Sequence, residues 1–117
     1  MNKQHIKQEL LNYIKRNKSA TFCEIEELFT KIGFDFRGDS KVVSGINEAA
    51  ILWDGWNLEA CDIITEMVSD GLIEPLTCSV LLYLAFGQLL KLPLLRFQDI
   101  KRIKRPHWLP CTFSACT

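Results

Sequence analysis

Thr21 and Glu24 stand at the spacing of a reciprocal helix cap, and Ile25, Leu28, Phe29 and Ile32 follow as one apolar stripe that stops at Gly33. In such a cap the threonine hydroxyl accepts from the third helical N–H while the glutamate reaches back to the threonine N–H, so two residues define where a helix begins. Glycine defines where it ends, because it takes the left-handed conformation that closes the last turn. No other segment constrains the fold as tightly, and two more repeat the pattern loosely. Ile6, Leu10, Tyr13 and Ile14 recur at helical spacing between Asn2 and Arg16, with Asn17 and Lys18 ending the run. Asn57 is a good cap, and Ala60, Ile63, Ile64, Met67 and Val68 line one face of a third helix that stops at Gly71.

The intervening and following segments are less regular. Between Phe34 and Gly55 the residues Gly38, Asp39, Ser40, Ser44, Gly45 and Asn47 break any period, leaving Ala49 to Trp53 as one short strand before Asp54 and Gly55. After Gly71, Leu72 and Ile73 lead into two apolar runs, Val80 to Phe86 and Leu89 to Leu95, which flank Gly87 and Gln88 as the arms of a hairpin would.

Three helices followed by a hairpin is the element order of a winged helix. The peptide Met67-Val-Ser-Asp-Gly-Leu-Ile73 resembles the passage from the third helix of such domains into the wing. The expected fold is therefore α+β and winged-helix-like: three helices, a short antiparallel hairpin or sheet, and an extended C-terminal tail, in a single domain over residues 1–117. Residues 1–96 are its core and residues 97–117 a basic tail that contains two prolines and one tryptophan. Pro106 and Pro110 bracket Trp108, so this tail is expected to lie extended over the surface with Trp108 and Phe113 as anchors.

A chain of 117 residues, 48% hydrophobic and 24% charged, has the size and composition to bury one core without a staple. Cys23, Cys61, Cys78, Cys111 and Cys116 are odd in number and contain no C-x-x-C pair, which speaks against a disulfide framework or zinc knuckle and for reduced thiols. Charges at regular intervals from Met1 to Lys18 leave no apolar run of a signal peptide, so a cytoplasmic location is expected. The longest uncharged stretch, Pro75 to Leu90, falls short of the roughly 20 residues that span a bilayer as a helix. It is read as sheet, with a membrane-associated segment as the weaker alternative, and no membrane is expected among the partners.

Across its whole length the chain resembles a group of small proteins encoded on staphylococcal pathogenicity islands and related phage-like mobile elements. The likeness is carried by Ile51-Leu-Trp-Asp-Gly-Trp-Asn57, Asp70-Gly-Leu-Ile73, Leu92-Pro93 and Lys104-Arg-Pro-His-Trp-Leu-Pro110. It implies a bacterial cytoplasmic protein that serves the replication, regulation or packaging of such an element, with no activity to carry over residue by residue.

The formal net charge is zero, and this balance hides three blocks of alternating sign. Residues 1–18 are basic through Lys3, Lys7, Lys15, Arg16 and Lys18 against Glu9. Residues 23–74 are strongly acidic, and residues 91–105 are basic again through Lys91, Arg96, Lys101, Arg102, Lys104 and Arg105 against Asp99. The third helix turns Glu59, Asp62, Glu66 and Asp70 to solvent and has no Lys or Arg between Asn57 and Ile73. In DNA-binding relatives of this shape that helix enters the major groove, where carboxylates would be repelled by phosphate. The favoured expectation is a non-enzymatic binding or adaptor module of a mobile genetic element. It would act through a protein partner on Glu59, Asp62, Glu66 and Asp70, with Trp56 beside them. The alternative is a DNA-binding regulator or replication accessory protein that grips nucleic acid with Lys101, Arg102, Lys104 and Arg105 and stacks His107 or Trp108 on a base.

Other combinations carry less. Trp53 and Trp56 flank an Asp-Gly turn, but large aromatics in a small domain are more often core than interface. Arg37-Gly38-Asp39 spells an integrin-binding tripeptide whose match is close to chance, so a turn is expected there. His107, Cys111 and Cys116 lack the fourth ligand of a structural zinc site, and no metal or cofactor is expected. Asp35, Asp39, Glu48 and Asp54 read as a solvated acidic segment rather than as paired catalytic carboxylates. No Gly-x-Ser-x-Gly, Walker-type or Gly-x-Gly-x-x-Gly run occurs, so an enzyme is not expected.

Overall fold

The computed structural model describes residues 2–116. Among them the chain runs through α1 (Lys3–Asn17), α2 (Phe22–Lys31), β1 (Arg37–Val43), β2 (Ala50–Trp56), α3 (Leu58–Ser69), β3 (Ile73–Thr77), α4 (Leu81–Leu84), a 3-10 turn (Phe97–Asp99), β4 (His107–Trp108) and β5 (Cys111–Ala115). The fold is α+β with two small sheets. One has the order β1-β2-β4, with β1 antiparallel and β4 parallel to β2; the other pairs β3 with β5 antiparallel.

The three long helices begin on the residues that mark them in the sequence. The Asn2 side chain accepts from the His5 N–H at 2.8 Å. Thr21 and Glu24 form the full reciprocal cap, with backbone-to-side-chain bonds of 2.9 and 3.2 Å. Asn57 Oδ1 accepts from the Ala60 N–H at 2.8 Å. Each helix then buries the expected stripe, Ile6, Leu10 and Ile14 from α1, Ile25, Leu28 and Phe29 from α2, and Ala60, Ile63, Ile64 and Met67 from α3.

The expected order of three helices and then a hairpin is not what forms. The hairpin is β1–β2 and lies between α2 and α3, so β1 occupies a stretch whose residues favour loops. In place of the expected wing, residues 80–86 make one helical turn, and the following residues run irregularly to Leu95. The cause is Gly87. With φ of +70°, it donates to the Leu84 carbonyl while Gln88 donates to the Tyr83 carbonyl, the crossed pair of bonds that terminates a helix. Gly33 and Gly71 close α2 and α3 with the same bond pattern. A glycine between apolar runs therefore ends a helix here where a hairpin was expected.

The second departure is at the C-terminus. Residues 107–115 are not a strap over a finished core but two of its strands. Trp108 pairs in parallel with Ile51, and residues 111–115 pair with residues 73–77. Ala20 and Phe113 exchange backbone bonds of 3.0 and 2.9 Å, which ties β5 to the α1–α2 junction. Trp108 and Phe113 do anchor the segment, but at 1% and 0% exposure they belong to the interior. The division into a 1–96 core and a 97–117 tail gives way to one unit interrupted by an exposed loop.

Aromatic side chains fill the space between these layers. Phe22 stacks on Trp53 with centroids 5.6 Å apart, and meets Trp56 and Phe113 edge-on. Tyr83 and Trp108 meet edge-on at 5.3 Å. Trp53 and Trp56 are three positions apart in a strand and would ordinarily face opposite ways. An extra residue in β2 opposite Ser40 and Lys41 changes the register. Both indoles then reach one atom, donating to Glu26 Oε2 at 2.9 and 2.8 Å. Gly38 has its own packing reason: a Cβ there would lie 2.5 Å from Asn57 Cα, against the cap of α3. The glycine of Arg37-Gly38-Asp39 thus serves a close backbone approach.

Tyr83 joins three elements through one hydroxyl, which accepts from the Phe22 N–H at 3.0 Å and donates to the Cys111 carbonyl at 2.7 Å. It is fully buried, and that burial pushes its pKa far up. Tyr83→Phe keeps the ring but leaves two buried backbone groups without a partner. A urea titration should show a loss of about 1–3 kcal/mol for each group so exposed. A midpoint unchanged from wild type would mean that this hydroxyl holds nothing together.

Candidate functional site

An open cleft of about 550 Å³ lies where β1, the C-terminal half of α3, β3 and the 3-10 turn converge. Its floor is Leu52, Ile64, Leu109 and Phe113, all buried. Its lip is unusual, because Val43, Ile46 and Phe97 line the cleft and yet remain 38%, 55% and 47% exposed. Ser44, Thr65, Ser69 and Thr77 add hydroxyls to the lining, and Glu48 adds its one carboxylate. Concave, largely apolar sites with a few polar groups are where binding is most often found.

The β1–β2 connection that carries Ile46 is well ordered by its own bonds. Ser44 Oγ accepts from the Ile46 N–H at 3.1 Å, and Asn47 Oδ1 accepts from the Ala49 N–H at 2.9 Å. The other end of the Asn47 amide donates to the Ile100 and Ile103 carbonyls at 2.8 and 3.0 Å. One amide thereby fastens the lip of the cleft to the loop that holds the basic cluster.

That loop is held at both ends. Leu95 donates to the Trp108 carbonyl and Trp108 to the Pro93 carbonyl, each at 2.8 Å, while His107 donates to the Ala49 carbonyl at 2.9 Å. Between these points Lys101, Arg102, Lys104 and Arg105 are all exposed. Arg96 and Arg102 share Asp99, at 3.1 and 4.0 Å. Lys101, Lys104 and Arg105 make no ion pair among the described residues. His107 is half-buried, with Nδ1 2.7 Å from the Arg105 carbonyl. Trp108, expected as a stacking platform, lies in the core with its indole N–H on the Leu52 carbonyl at 3.2 Å.

The acidic residues of α3 lie on a different flank of that helix from the residues that line the cleft. Glu66 accepts from Lys3 at 2.8 Å and from Lys7 at 2.7 Å, both on α1. Those hydrogen bonds hold the Glu66 carboxyl below its ordinary range. The bond to Glu66 raises Lys3 in turn, with Asp62 and Glu59 adding their field. Glu59 and Asp70 are exposed and Asp62 is half-buried. The basic C-terminal loop does not fold back on this face, which is balanced from α1 instead. Trp56, grouped with the acids in the sequence, has no exposed surface and belongs to the core.

Sequence reasoning missed Val43, Ile46, Phe97 and Ile100, because the cleft they line is assembled from four separated segments. The one local sign was Ile46, a large apolar residue inside a run of turn formers. Among the described residues no three His, Cys, Asp or Glu side chains converge as a metal site would require. Burial pushes the Cys23 and Cys61 thiols up to about 11, with nearby carboxylates adding to it, so both stay protonated at neutral pH. No helix among the described residues is long and apolar enough to cross a membrane. Comparison with protein-family models, with curated proteins and with solved structures finds no match to this chain.

The Lys3–Glu66–Lys7 cluster gives the stability of the fold a pH dependence of known sign. Glu66 is depressed in the folded state, so its contribution is present above the ordinary carboxylate value and is lost as pH falls through the depressed one. The raised Lys3 contributes until pH climbs through its elevated value. Urea midpoints measured from neutral pH downward should show Glu66→Gln less stable than wild type at neutrality and equal to it in strong acid. A gap independent of pH would remove the ion cluster from the account.

Proposed function

We propose that this chain is a non-enzymatic binding or adaptor module that acts through a protein partner. The observation that carries this reading is the lip of the cleft, where Val43, Ile46 and Phe97 line an open concavity and yet face solvent. Large apolar side chains left in water next to an open concavity are the anatomy of an interaction surface. Exposed Leu81, Leu82, Leu84, Phe86, Leu89 and Leu94 extend the apolar surface elsewhere on the chain. The emphasis moves from the acidic face of α3, part of which is satisfied by α1, to the side bearing the cleft. Glu59, Asp62 and Asp70 stay in the proposal as a second, weaker contact surface.

A nucleic-acid-associated regulator or replication accessory is the second reading, and one observation favours it: Lys101, Lys104 and Arg105 are exposed and without ion-pair partners. Against it stand the buried Trp108 and a net charge of zero, which gives no long-range attraction to a polyanion. Service to a mobile element is part of the same proposal and rests on the sequence likeness alone, while a cytoplasmic setting rests on that likeness and on the charges spaced from Met1 to Lys18. Kinship with winged helices belongs to the proposal as well; three capped helices with β3 following α3 support it, and the β1–β2 hairpin between α2 and α3 departs from the expected order.

A gel-shift titration over a range of salt separates the two readings. The protein-binding reading expects no complex tighter than the roughly 10⁻⁴ to 10⁻⁶ M of non-specific association at physiological salt. Tighter binding that falls steeply with salt, and that disappears when Lys101, Arg102, Lys104 and Arg105 are changed to Ser, would put nucleic acid in place of the protein partner.

A further inference from the structure

We infer that residues 81–89 are the contact surface of a two-fold dimer, in which a second copy of this chain covers their apolar side chains and each copy's Lys91 enters the other's notch at Glu26 and Asp54. None of the residues from 81 to 94 lines the cleft, so this surface is additional to the one that carries the reading above and does not depend on it.

The segment needs a cover. α4 is a single turn in which Tyr83 alone is buried, while Leu81, Leu82 and Leu84 are 65%, 46% and 53% exposed. Phe86 and Leu89 follow at 41% and 50%. The crossed bonds from Gly87 and Gln88 to Leu84 and Tyr83 fold the chain back against the turn, which keeps these five side chains in one short stretch. At roughly half of about 200 Å² each, they leave on the order of 500 Å² open, as much as the largest apolar patch on a typical monomer. Ala85, Gly87, Gln88, Lys91 and Pro93, between and beside them, are exposed as well. Together the stretch approaches the roughly 800 Å² per partner of a standard protein interface.

Charge selects a copy of this chain as that cover. Residues 75–90 carry no charge, so two such surfaces meet without repulsion, and a net charge of zero adds none at long range. Opposite charges then stand beside the apolar stretch. Glu26 and Asp54 line a notch of about 340 Å³ together with Gly87, Gln88, Leu89 and Leu90. Glu26 uses Oε2 for the two indoles, and neither Glu26 nor Asp54 has an ion pair among the described residues. Lys91, the next residue along, is exposed and is likewise unpaired, so it does not reach the carboxylates of its own chain. A two-fold axis makes this one match into two equal ones, because whatever one copy offers it also receives. A lipid surface is the poorer cover, since it would press Glu26 and Asp54, which border the same segment, against a negative headgroup layer.

Sedimentation equilibrium of the full chain from about 1 to 500 µM at physiological salt should show a reversible monomer–dimer equilibrium with a Kd on the order of 1–100 µM, the strength of an interface at the lower end of the standard size. Leu84→Glu places a carboxylate in the apolar stretch twice per dimer and should weaken association by about tenfold or more, with Leu81→Ser as the replacement should that variant fail to fold. Ile46→Ser, at the lip of the cleft, should leave association unchanged. Lys91→Glu and Asp54→Lys should each weaken it by about fivefold or more. An equimolar mixture of those two variants should dimerise as the wild type does, because the mixed dimer restores both charge pairs.

A chain still monomeric at about 500 µM would overturn the proposal. So would a dimer that survives Leu84→Glu and Leu81→Ser but is lost with Ile46→Ser, which would put the second copy on the cleft instead. A mixture that associates no better than either charge variant alone would contradict the two-fold pairing of Lys91 with the notch. Co-sedimentation of a monomeric chain with phosphatidylcholine–phosphatidylserine vesicles, abolished by Leu84→Glu, would name a lipid surface as the cover and sink the dimer.

Discussion

The C-terminal strands complete both sheets and bury Trp108, Leu109, Cys111 and Phe113, and many other contacts depend on their being there. β4 lies beside β2 and supplies Trp108 to the aromatic interior; β5 pairs along all of β3 and locks Phe113 against Ala20. Tyr83 reaches the Cys111 carbonyl and the first N–H of α2 with the same hydroxyl, so α4 is attached through β5 as well. Taking these strands away would expose the apolar faces of both sheets at once and leave β3 without a partner. Pro75 can sit in β3 because only one side of that strand is paired.

This arrangement decides what the basic residues can do. A free tail with four cations would search space and settle on whatever acid it met, the α3 face included. A loop whose two ends are hydrogen-bonded to the core presents the same cations in one place. α3 takes its counterions from α1 through Lys3 and Lys7, and Asn47 fastens the basic loop to the opening of the cleft. A net charge of zero thus conceals a molecule whose acidic flank is partly satisfied internally and whose basic flank is open to solvent.

How much of this was legible follows from whether the information was local. The helices were, since Asn2, Thr21 with Glu24, and Asn57 form their caps within three residues of the positions that name them. β2 was legible as an apolar run, though its register slip, which brings Trp53 and Trp56 to one carboxylate, was not. The Gly87 region misled because a glycine after an apolar run closes a helix or turns a hairpin with equal ease, and only the bonds to Tyr83 and Leu84 tell which. The tail misled because the partners of β4 and β5 lie more than thirty residues away, and two prolines suggested an extended strap. The acids of α3 follow the helical period and so could be grouped from the sequence, while the countercharge of Glu66 on α1 depended on tertiary packing. The cleft had no local sign beyond Ile46, because its walls come from segments that meet only in the fold.

Amide hydrogen exchange bears most directly on the claim that residues 107–115 are structural and that the basic residues form a fixed loop between core strands. The amides of Trp108, Leu109 and Phe113 are expected to exchange as slowly as those in the middle of α2, through global unfolding, while the amides at 101, 104 and 105 exchange fast. Rapid exchange along 107–115, at the rate of that loop, would contradict the account, since it would return the segment to a detachable strap and leave the cleft without its floor.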